Sequence, residues 1–130
     1  MSIKQLAMGT AMALVMTGTA YAEPITVVSW GGSYGEAQDK ALFTDASKNS
    51  GIEIVRESGA SMSKTCLQVE SGSVTWDLVV TGSGGAAAAA AKGCLEKIDF
   101  NVVDVSDFYK NTYTDYCVGS DVFATVMSWN

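Results

Sequence analysis

Three short apolar stretches, the first and third closed by Gly-rich breaks, set the pattern of the chain. Ile25-Thr26-Val27-Val28-Ser29-Trp30 is β-branched and bounded by Gly31-Gly32, which predicts a buried strand. Ile52 to Arg56 alternates and predicts a second strand. Thr75 to Val80 predicts a third, closed by Thr81-Gly82-Ser83-Gly84-Gly85. Between them, Ser33 is a candidate cap for a helix running to about Asn49, with Ala37, Leu42, Phe43 and Ala46 for an inward face and Gly51 as its stop. Ser61 or Ser63 starts a second helix with Leu67 and Val69 inside, ending near Ser71-Gly72. The alanines Ala86 to Ala91 predict a short helix packed close against the sheet and ended by Gly93. A polar and aromatic stretch then leads to Asp121, and Val122 to Trp129 reads as a last strand. Strands alternating with helices in this way make a parallel α/β sheet with right-handed crossovers.

The first 22 residues stand outside that pattern. Lys4 gives a short basic start, Leu6 to Met16 is an uncharged, largely apolar run, and Ala20-Tyr21-Ala22 is a small-x-small cleavage site. The run is about half of the roughly 20 residues a membrane span needs. It therefore predicts a secretory signal peptide over 1–22 and a mature chain in the periplasm, where disulfides persist. At the other end the chain stops inside or just after a strand, which reads as an N-terminal fragment of a longer protein.

Composition removes several function classes. The chain has 130 residues, 48% of them hydrophobic and 17% charged, too apolar for intrinsic disorder. With 8 Lys+Arg against 14 Asp+Glu the net charge is −6, which argues against nucleic acid. Histidine is absent, and with it go Ser-His-Asp and Cys-His catalysis and the usual zinc ligands. No carboxylate pair can be placed across a cleft by spacing, and Asp77 reads as structural; no enzyme, metal or cofactor is expected.

Ligands of an open parallel sheet sit beyond the carboxyl ends of its strands. Two loops occupy that position, one through Trp30, Gly32, Ser33 and Tyr34 and one through Thr81, Gly82 and Ser83. Both run into helix N-termini with free N–H groups and hydroxyls. Trp30 is read either as core or as a wall against which a solute stacks; Tyr34, in the loop, is read as such a wall. Gly82-Ser83-Gly84-Gly85-Ala86-Ala87 also fits G-x-G-x-x-A, but after the third strand rather than the first. A dinucleotide-binding enzyme would then need Asp99 or Asp104 to hold a ribose. Cys66, Cys94 and Cys117 allow three single pairs. A Cys94–Cys117 bridge would pin the irregular 99–121 segment to the end of the Ala-rich helix, leaving Cys66 buried on its helix or paired beyond residue 130.

The segments ITVVSWGGSYGEAQ, TWDLVVTGSGGAAAAAAKGCLEKID and VFATVMSWN, in this order behind an export signal, resemble the N-terminal portion of the extracellular solute-binding proteins of ABC importers, and within them the spermidine/putrescine-binding branch. The resemblance implies a two-lobed periplasmic binding protein of class II type. Residues 23–121 would form the N-terminal lobe, and 122–130 the first strand crossing to a second lobe. It also implies a monomer that closes on a small solute, a polyamine in that branch, and delivers it to an ABC permease in the inner membrane. Polyamine binders tend to carry an acidic residue after the first Trp and an aromatic in the second loop. This chain has Gly31-Gly32 in the first position and only Gly and Ser in the second, so an anionic or other small ligand is the alternative.

Overall fold

The computed structural model describes residues 22–129; residues 1–21, which hold all but the last position of the expected signal peptide, lie outside them. Strand β1 (Ile25–Ser29) is central in a parallel sheet of order β2-β1-β3, with β2 at Ile54–Ser58 and β3 at Leu78–Val79. Ile25 faces Ile54 and Ser29 faces Ser58, while Val27 and Val28 face Leu78 and Val79. Flanked on both edges, β1 supplies the buried centre: Val27 is 3% exposed and Val28 0%. The expected α/β architecture is therefore present, with two strands displaced from their predicted ends.

Both displacements have local causes. Ile52 is held in a turn, its amide receiving Ser50 Oγ as acceptor and its carbonyl accepting from Ser47 Oγ, so pairing starts at Ile54. The third strand shrinks because Gln68 Oε1 captures the amides of Thr75 (2.7 Å) and Trp76 (3.3 Å) before they can join the ladder. Asp77, structural as expected, caps the sheet by accepting from Thr26 N at 2.7 Å. Asp77→Ala should cost about 1 kcal/mol and speed exchange of the Thr26 amide, as hydrogen-exchange NMR would read.

The first helical stretch departs most from its periodicity. Helix α1 (Gly32–Gln38) runs through a π-helical turn, Asp39–Phe43, into α2 (Thr44–Ser50), which Gly51 closes. Its inward side holds Tyr34, Gln38, Phe43 and Ser47. The five-residue step from Gln38 to Phe43 is the π turn, since one extra residue in the turn moves the face round by one position. Ala37, Leu42 and Ala46, expected inside, consequently lie exposed. Ser33 is not the cap either: Gly31 holds the N-cap position and no side chain bonds there.

Helix α3 (Met62–Ser71) starts at Ser61, whose hydroxyl accepts from Lys64 N, and ends at Gly72. Its buried side is Thr65 and Cys66, while Leu67 and Val69, expected inside, are 63% and 40% exposed. The reason is its neighbour. Helix α4 (Ser83–Ala91) packs against α3 through Ala89, with Cys66, Cys94, Met62 and Leu95 completing the cluster, so the face is chosen by Cys66. A Cβ on Gly85 would lie 2.5 Å from Thr81 Oγ1 and 3.5 Å from Met62 Cγ, which is why small residues open α4.

The expected Cys94–Cys117 bridge is replaced by Cys66–Cys94, with Cα atoms 4.9 Å apart, and Cys117 is a free thiol. Packing of α3 on α4 brings the first pair together. Cys117 instead lies in an antiparallel hairpin, β4 (Tyr113–Thr114) with β5 (Cys117–Val118). That hairpin organises the segment read as irregular: Asp115 accepts from Ile98 N at 2.8 Å and pairs with Lys97 at 2.9 Å, and Phe100 meets Tyr113 edge-on. Residues 122–129, expected as a strand, have no regular structure and are exposed throughout. A strand needs a partner for its backbone groups, and no described strand pairs with this segment.

Candidate functional site

Because the sheet is parallel, β1, β2 and β3 all end at one edge, and the loops after them converge there. In the first, Gly31 sits at φ +82, and a Cβ on it would lie 2.9 Å from Ser58 Cβ at the end of β2. The missing side chain therefore lets the first loop rest against the second strand. Trp30, directly before it, is 56% exposed, which decides between its two readings in favour of surface over core. Gly32 and Ser33 open α1 and are exposed, and Tyr34 is half-buried.

Across the edge, Thr81 is half-buried beneath α4, Gly82 is the N-cap residue of that helix in extended conformation, and Ser83 is exposed at its first position. No side chain caps α4, so its first amides and the positive end of its dipole face the edge. The structure thus places Trp30, Thr81 and Gly82 in the loops of one sheet edge and Gly32, Ser33 and Ser83 in the first turns of the helices that follow, while Tyr34, read as a loop residue, lies within α1 because the helix starts directly after Gly31.

A third loop, Ser58-Gly59-Ala60-Ser61, was missed. Ala60 N donates to Ser29 O at 3.1 Å, binding this loop to the end of β1, and Ser61 caps α3. The rule that singled out the other two loops, a Gly/Ser turn between a strand and a helix, applies to it equally. Behind the first loop, between α1 and β2, lies a pocket of about 270 Å³ lined by Ser29, Gly35, Gln38, Asp39 and Arg56 among others. Arg56 pairs with Asp39 Oδ2, and Asp39 Oδ1 is buried without a hydrogen-bond partner.

Polar order continues along α1. Gln38 Oε1 accepts from Ser29 Oγ at 2.5 Å, Gln38 Nε2 donates to Tyr34 Oη at 3.4 Å, and Tyr34 Oη donates to Asp121 Oδ1 at 3.0 Å. Burial first, then the Asp121 carboxylate, pushes the Tyr34 phenol above its ordinary value. Its hydroxyl is thereby committed to Asp121.

Among the described residues no group of three or more His, Cys, Asp or Glu side chains converges as metal ligands would. The G-x-G-x-x-A stretch caps and opens α4, with Gly82 as N-cap and Ser83 to Ala87 in the helix, and turns without a strand lead from the end of α4 to Asp99 and Asp104. The acidic residue a dinucleotide site requires at the end of the next strand has no strand to carry it. Among the described residues no helix is long and apolar enough to cross a membrane.

No protein-family profile matches the chain. The gamma-aminobutyric acid-binding protein of Pseudomonas aeruginosa is 27% identical over 121 residues, which are 92% of this chain and 34% of that protein. The PBP AgtB from A. tumefaciens R10, solved with agropinic acid, is 38% identical with a TM-score of 0.70 over 75% of this chain and 31% of that one. The PBP MotA from A. tumefaciens B6, solved with glucopine, is also 38% identical, with a TM-score of 0.61 over 71% of this chain and 28% of that one. The chain has the periplasmic-binding-protein fold. It spans about a third of the length of these relatives, which are binding proteins rather than enzymes.

Proposed function

We propose that the chain is part of the periplasmic substrate-binding subunit of an ABC importer, exported by its signal peptide, and that the loops at the sheet edge capture a small solute for an inner-membrane permease. Residues 23–121 form the N-terminal lobe in this reading, 122–130 lead toward a second lobe, and the subunit acts as a monomer without catalysis. The observation that carries the reading is that three strand-end loops share one edge of the sheet, with Trp30 exposed in the first and α3 and α4 opening from the other two.

The edge favours a solute bearing a carboxylate. Helix N-termini and Gly/Ser loops offer N–H and O–H donors to an anion, and the candidate residues Trp30, Gly32, Ser33, Tyr34, Thr81, Gly82 and Ser83 include no carboxylate to hold an amine. The relatives point the same way, since one is named for gamma-aminobutyric acid and one was solved with agropinic acid. A polyamine, the solute of the branch the sequence resembles, would have to find its carboxylates elsewhere.

Saturation-transfer NMR on the chain, with gamma-aminobutyric acid, agropinic acid, putrescine and spermidine in turn, separates the two. The expected result is transfer to the carboxylate-bearing solutes, reduced about five- to tenfold in affinity by Trp30→Ala, in line with the loss of one aromatic contact. Transfer to the polyamines alone would reverse the assignment, and transfer insensitive to Trp30 would move the site away from this edge.

A further inference from the structure

We propose that Ser29, Gln38, Tyr34 and Asp121 form a latch that fixes the segment from Ser120 onward to the lobe and ties its position to the end of β1. The inference holds whichever solute the site takes. Gln38 is a polar side chain only 7% exposed, and a buried amide is retained at low cost only when both its ends are satisfied. Here Ser29, the last residue of β1, satisfies one end and Tyr34 the other. Tyr34 then bridges 87 positions along the chain to Asp121, the residue directly before Val122. Ser120 Oγ donates to the same carboxylate oxygen at 3.1 Å, so two hydroxyls converge on it.

The surroundings show why this bond carries the attachment. Gly119, Ser120 and Asp121 are all exposed, and a groove of about 200 Å³ lies between Ser120 and Asp121 on one side and Ala37, Ala41 and Leu42 of the helical stretch on the other. Apolar packing therefore does not hold the segment at this point. The π turn begins at Asp39, immediately after Gln38, and keeps Tyr34 and Gln38 on the sheet-facing side together with Phe43. Tyr34 is in this reading a positioning residue through its hydroxyl.

Limited chymotrypsin digestion of the full chain, read by mass spectrometry, tests the latch. Cleavage after Phe123 requires several residues on each side to enter the protease cleft, so Asp121 must first be released, whereas cleavage after Met127 lies beyond the latch. Tyr34→Phe and Asp121→Ala should each raise the ratio of initial rates at Phe123 over Met127 by about two- to fivefold, the population shift one exposed hydrogen bond carries. Gln38→Leu should raise it as well, and the Tyr34→Phe/Asp121→Ala pair no further than either alone. Using a ratio removes any general loss of stability. An unchanged ratio in any single variant, or a pair that multiplies the two single effects, would overturn the latch.

Discussion

Removing the Cys66–Cys94 bridge lowers the free energy of unfolding by about 3–4 kcal/mol, the chain-entropy value for a cross-link of this span. The two cysteines are 28 positions apart and join α3 to the turn that follows α4. Against the roughly 5–15 kcal/mol of a whole domain, this is a large share. It is larger still here, because the buried apolar set is thin: among the described side chains of residues 22–129 it comprises Val27, Val28, Ala60, Ala86 and Ala89 beside the cysteines. The variant should be Cys66→Ser with Cys94→Ser, since Cys66→Ser alone would free Cys94 to seek Cys117. Urea unfolding followed by tryptophan fluorescence should show the loss, and dithiothreitol should reproduce it in the unmodified chain. Cys117→Ser, at the free thiol, should leave the midpoint unchanged. A midpoint sensitive to Cys117→Ser and insensitive to Cys66→Ser would restore the pairing read from spacing.

Gly31→Ala is the second large effect, expected at about 2–5 kcal/mol. Part comes from the left-handed backbone, about 1–2 kcal/mol for a residue with a Cβ, and part from forcing that Cβ against Ser58, about 1–3 kcal/mol for an overpacked contact. The neighbouring glycine separates the two parts. Gly32 also has positive φ, +57, but nothing lies within 4 Å of its missing Cβ, so Gly32→Ala should cost only the backbone part. Adding Ser58→Gly to Gly31→Ala should restore the contact part and leave the rest. The emission of Trp30, adjacent to Gly31, should shift in Gly31→Ala and return toward that of the parent in the pair. Equal costs for Gly31→Ala and Gly32→Ala would show that the first loop does not rest on β2.

Much of this site was readable from residue order because its determinants are local. A β-branched run ended by Gly31-Gly32 is a strand with a loop, and in a parallel sheet such loops necessarily share one edge. Ser61 and Gly72 bound α3 by cap chemistry that acts within a turn of the helix. The loop after β2 carried the same signal. There it rests on a single glycine, Gly59, where the other two loops have pairs.

The faces of the helices were readable only in part: Phe43 lies on the expected inward side, and the positions that differ share a cause. Leu42, Leu67 and Val69 are apolar, yet what turns inward is set by the neighbour each helix meets: Phe43 after a π turn, and Cys66 against Ala89. Apolar periodicity reports a face only where burial is extensive enough to enforce it, and this sheet has three strands.

The α/β alternation, the two Gly/Ser loops, Trp30 between strand and glycine, and Asp77 as a structural carboxylate were all legible in residue order, since each follows from residues a few positions apart. The tertiary structure decided which cysteines pair, that Gln68 shortens β3 and that Tyr34 reaches Asp121. These contacts join residues distant in the chain, whose meeting depends on the path of the backbone in space.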